Sequence, residues 1–118
     1  MQHLYSKWYY IKYSMEIEVR ELIPWTVIYD TNNWQFIHTP GKYMFFSKER
    51  SKLISLAKQL ITAYGFKQCK VNQKLVSPYV SYVLCVYSET GELDQELKQY
   101  KQRGKIQYKG WKEPYDEN

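Results

Sequence analysis

The chain has 118 residues, of which 44% are apolar, 25% charged and 18% aromatic, enough for one domain with a buried core and too few for two. Five glycines and four prolines exclude a collagen-like or low-complexity chain, and no apolar run approaches the roughly 18 residues of a membrane span. The 17 basic residues against 12 acidic ones leave a formal charge of +5, which attracts anionic partners without choosing among them.

Residues 1–14, MQHLYSKWYYIKYS, read as an extension or an extra edge strand, and residues 15–118 as one α+β domain. From Met15 the residues Met15, Ile17 and Val19 alternate with Glu16, Glu18 and Arg20, the period of a half-buried strand that Pro24 ends or confines to an edge. Trp25 to Tyr29 is a second strand by its β-branched and aromatic content, and Asp30 to Asn33 form a turn cluster. Trp34 to Ile37 reads as a short strand, Thr39-Pro40-Gly41 as a turn, and Lys42 to Phe46 as another strand. Ser47 is the expected N-cap of a helix whose residues Leu53, Leu56, Ala57, Leu60, Ile61 and Tyr64 recur at three and four positions, with Gly65 as its stop.

Phe66 to Lys74 alternates again, and Tyr79 to Tyr87 is apolar on both faces, as a covered central strand is. A second helix is expected from Glu92 to Gln102, with acids in its first turn and bases in its last. Gly104 stops it, Lys105 to Lys109 forms a last short strand, and residues 110–118 are a polar tail. The order suits a curved, mainly antiparallel sheet with both helices on one face.

No catalytic or phosphate-loop motif is present, and neither the two histidines nor Cys69 and Cys85 have metal-ligand spacing, so no cofactor and no metal are expected. The cysteines read as buried thiols of a reducing, cytoplasmic compartment, with a cross-strand disulfide as the alternative. His38 beside Asp30 is an acid–base pair if the intervening turn is a hairpin, and a solvated loop histidine otherwise.

The basic residues are clustered, eight between Lys42 and Lys74 against the single acid Glu49, and six from Lys98 to Lys112 with none. Lysines interleaved with Tyr and Trp provide phosphate contacts beside flat surfaces on which unpaired bases stack. The expected partner is a nucleotide or single-stranded nucleic acid, with Trp34, Trp25 or Trp111 under the base and Lys70, Lys109 or Lys112 at phosphate. The alternative is a protein-interaction or structural domain whose basic surface is only solvated. Trp111 has two roles open to it, sealing one end of the core or stacking on a ligand.

The strand Gly41-Lys42-Tyr43-Met44-Phe45-Phe46, the following helix, Lys70-Val71, the strand Tyr82 to Tyr87 and Tyr108-Lys109 resemble, in order and spacing, a small family labelled as phosphothreonine-lyase-domain proteins that includes the basophilic leukaemia-expressed protein. The likeness spans about residues 25–115. It departs at Tyr43, where the family tends to carry Trp, and at Gln68-Cys69. The family's fold is similar to that of the cap-binding translation-initiation factors, a curved antiparallel sheet with helices on its convex face and a nucleotide-stacking groove on the other. The resemblance implies a binding group at Lys42, Lys70, Tyr108 and Lys109, and no acid and base for a lyase reaction match it.

Overall fold

A computed structural model describes residues 15–33, 40–75 and 80–114. Six strands form one antiparallel sheet: β1 (Ile17–Leu22), β2 (Trp25–Asp30), β3 (Gly41–Ser47), β4 (Cys69–Asn72), β5 (Tyr82–Ser88) and β6 (Gln107–Lys112), in the spatial order β1-β2-β4-β5-β3-β6. Helix α1 (Arg50–Tyr64) crosses β2, β3, β4 and β5, and the short helix α2 (Asp94–Leu97) lies against β6. The α+β class and single domain expected from the sequence are those of the structure.

Alternation within each strand decides what is buried. In β3, Gly41, Tyr43, Phe45 and Ser47 are buried while Lys42, Met44 and Phe46 are half-buried on the opposite face. The register places Tyr43 opposite Val86 and Phe45 opposite Leu84. It likewise sets Cys69 across from Val86 and from Ile28 on its other side, so these residues form one continuous apolar face. Leu53, Leu56, Ala57, Leu60 and Ile61 of α1 close over that face, and all are buried. The periodicity of α1 is thus satisfied by a sheet face, which holds a helix far better than propensity does.

Gly65 ends α1 as expected, at φ 71°, and its N–H donates to Ile61 O at 2.9 Å. The start differs from expectation. Glu49 occupies the cap position without a side-chain cap bond, and the Ser47 hydroxyl instead accepts the Glu49 N–H at 3.0 Å because Ser47 is still the last residue of β3.

The second helix is also shorter than the expected 92–102. Only Asp94–Leu97 is α-helical, and Lys98–Tyr100 tightens into a 3-10 turn. Its carbonyl pairing is cut off by a closed loop in which Gln102 and Ile106 exchange backbone bonds at 2.8 Å, and Tyr100 is held by the Tyr64 hydroxyl at 3.2 Å. Residues 110–112 belong to β6 and not to a tail, because they pair with β3 beyond a bulge between Met44 and Phe45 that leaves Lys109 as the extra residue. The short strand expected at Trp34–Ile37, the segment 1–14 and His38 lie outside the described residues. Asp30, the residue weighed as a partner for His38, is buried and accepts the backbone N–H groups of Glu16 and Asn32 at 3.0 Å.

Both cysteines are free and buried. A bridge between them is excluded by register: Cys69 faces α1, whereas Cys85, paired with Lys70, faces the other side of the sheet.

A buried tyrosine joins the sheet to the α2 segment. The Tyr43 hydroxyl donates to Thr90 O at 2.8 Å and accepts the Leu93 N–H at 3.1 Å. Tyr43→Phe is therefore expected to leave two backbone groups short of a partner and lower stability by about 2 kcal/mol, which chemical denaturation reads directly. An unchanged midpoint would show that water replaces the hydroxyl.

Candidate functional site

Residues paired across antiparallel strands project from the same face, so the register maps the side of the sheet that the helices leave open. One row runs Met44, Cys85, Lys70, Val27, Arg20 from β3 to β1. On one side of it lie Phe46, Val83, Asn72, Trp25 and Leu22, since in the antiparallel pair Val83 precedes Leu84 as Asn72 follows Val71. On the other side are Lys112, Lys42 and Tyr87. A groove of about 590 Å³ lies over this face, with Met44, Phe46, Val83, Cys85 and Trp25 among its walls and Ile23 and Pro24 at the β1–β2 turn.

The apolar wall has a positive margin. Lys70 Nζ stands 4.1 Å from the centre of the Trp25 ring and 5.4 Å from that of Tyr87, so one ammonium is shared by two aromatic faces. Burial pulls Lys70 below the ordinary lysine pKa, and the nearby Lys42 charge pulls it further in the same direction. Burial also pushes up the Tyr87 hydroxyl and the Cys85 thiol, although Lys42 and Lys70 draw the thiol the opposite way. Lys42 and Lys112 are direct cross-strand partners, both half-buried. Like charges so placed repel. Among the described residues the ion pairs are Arg20–Glu18 and Arg50–Glu21, so Lys42, Lys70 and Lys112 have no carboxylate partner there.

The residues singled out in the sequence separate into two groups. Lys42, Lys70 and Lys112 converge on the open face, and Lys109 is exposed in the β6 bulge. Trp34 lies outside the described residues. Tyr108 and Trp111 are not brought to the groove. Tyr108 stacks on Phe45 at 4.7 Å and donates its hydroxyl to Asp94 at 2.6 Å, on the helix side. Trp111 pairs with Tyr43, its ring 4.8 Å away, and lies over Gly41 and Gly91. Of its two roles, sealing the core is the one its contacts describe.

Tyr87, Met44 and Phe46 join the site without having been singled out. The signal for them was the alternation of Lys42, Met44 and Phe46 with Tyr43 and Phe45, which marks a strand with two unlike faces, both apolar. Alternation does not say which face a helix will cover.

Among the described residues no cluster of His, Cys, Asp and Glu is arranged to hold a metal ion, and no helix is long and apolar enough to cross a membrane. Comparison with protein-family models, curated proteins and solved structures returns no match.

Proposed function

We propose that the open sheet face is a non-catalytic binding surface for single-stranded nucleic acid or a nucleotide. The observation that carries this reading is the set Lys70, Lys42 and Lys112, three half-buried lysines without a carboxylate partner among the described residues, beside the Trp25 and Tyr87 rings at the margin of an apolar groove. Desolvating a cation and setting two cations side by side both cost stability, and an anion bound between them repays that cost. A base is the planar apolar group that fits beside the rings, with its phosphate on the lysines. To stack on Trp25 it takes the place now held by Lys70 Nζ, which is then released to the phosphate.

The expected result of titrating the protein with a twelve-nucleotide single strand is quenching of tryptophan fluorescence, abolished as a separate component in Trp25→Phe. Trp25→Ala should weaken binding by roughly tenfold or more, the usual worth of one base–aromatic stack. Full affinity in Trp25→Ala would remove the ring from the site.

A second reading, a protein-interaction face, is favoured by Ile23 and Leu22 at the rim, 88% and 52% exposed. The two differ in salt response, because apolar docking does not release counterions and phosphate contacts do.

A further inference from the structure

We infer that this groove, if it takes a single-stranded nucleic acid as proposed above, takes it without regard to base identity. Reading a base requires hydrogen-bonding groups free to meet its edge, above all the paired donor and acceptor of an amide or the fork of an arginine. Neither amide of the groove has its donor and acceptor both free. Asn72 donates through Nδ2 to Lys74 O at 3.1 Å, and its Oδ1 accepts the Val83 N–H at 2.9 Å. Gln73 donates through Nε2 to Glu21 at 2.6 Å and to Trp25 O at 3.0 Å.

Neither nearby arginine is among the groove's lining residues, and each is bonded elsewhere. Arg20 bonds Glu18 at 3.1 Å, while Arg50 is held by Asn72 O, Thr26 and Glu21 behind the sheet. The main chain offers nothing at the groove floor, because β3, β4 and β5 each have a hydrogen-bonded neighbour on both sides. What the described lining leaves for a ligand is ring faces, methyl and thioether surface, lysine point charges and isolated polar groups, the Gln73 carbonyl oxygen and the Ser81 hydroxyl, neither of which is the paired donor and acceptor that reads a base edge. Ring faces accept any base and ammonium groups accept any phosphate.

The test is fluorescence anisotropy at low salt with 5′-labelled twelve-nucleotide strands of A, of U and of C, and with an abasic strand of equal charge. The expected result is binding of the three base-bearing strands within about fivefold of one another, below the discrimination of one bidentate base contact. The abasic strand should bind at least about tenfold more weakly, for want of stacking, and Ser81→Ala should leave these ratios unchanged. A preference of thirtyfold or more for one base would overturn base-indifferent recognition while leaving the surface a nucleic-acid site. Equal binding of the abasic strand would overturn it from the other side, by removing the rings from the contact. Failure of every strand to bind would instead remove the reading on which the inference rests.

Discussion

Gly41→Ala is expected to destabilise the folded chain by about 3 kcal/mol, the upper range for overpacking a tight site, and to lower the melting temperature by roughly 15 °C. A Cβ on Gly41 would run into the Trp111 indole and stand 2.7 Å from Lys112 O, while one on Gly91 would stand 2.6 Å from the same indole. The ring of Trp111 thus lies in a slot between two glycine backbones, held further by the Trp111 backbone N–H donated to Asp94 at 3.2 Å and the indole N–H donated to Glu113 at 2.9 Å. Trp111→Leu in the Gly41→Ala background should recover only part of the stability, since the Lys112 carbonyl remains. The control is Gly104→Ala, whose Cβ meets nothing within 4 Å and which carries only the strain of φ 74°. It should cost about 1 kcal/mol. Equal melting temperatures for the two single variants, followed by circular dichroism, would show that the slot yields freely.

Neutralising the lysines of the open face is expected to separate binding from stability. In Lys42→Gln/Lys70→Gln/Lys112→Gln the slope of log affinity for a single strand against log salt should become shallower by about 2, near 0.7 for each phosphate that no longer meets an ammonium group. Affinity at low salt should then fall on the order of a hundredfold. The free protein should respond in the opposite sense when only the adjacent pair is changed. Lys42→Gln/Lys112→Gln removes a direct cross-strand repulsion and should raise stability by up to about 1 kcal/mol. Lys70→Gln alone gives up the cation–ring attraction to Trp25 and Tyr87 while relieving a buried charge, so its net effect on folding is small. Retention of the full salt slope in the triple variant would place any nucleic-acid contact elsewhere, and lowered stability of the double variant would mean that the paired lysines hold the sheet together.

Most of the elements were legible because their cues are local. The three- and four-residue recurrence from Leu53 to Ile61 specified α1, Gly65 its end, and the alternation from Met15 and from Phe66 the strands β1 and β4. Where reading failed, a contact remote in sequence had intervened. Ser47 looks like a cap but is kept in β3 by pairing with Tyr82, and the helical pattern of 92–102 is cut short by the Gln102–Ile106 loop and the hold of Tyr64 on Tyr100. Lysines from three strands were legible as a basic, aromatic-rich composition, yet the same criterion also selected Tyr108 and Trp111, which serve the core.

By itself, then, the sequence determined the α+β class, the single domain, the length and buried stripe of the long helix, and the two-faced character of the central strands, since all of these follow from composition and short-range period. Only the tertiary structure decided that Lys42, Lys70 and Lys112 share a face with Trp25 and Tyr87, and that Trp111 is turned away into a slot between Gly41 and Gly91. The physical reason is register: a slip of one residue in any strand pairing reverses every side chain of that strand. The register of β3 between β5 and β6 is set by contacts far apart along the chain.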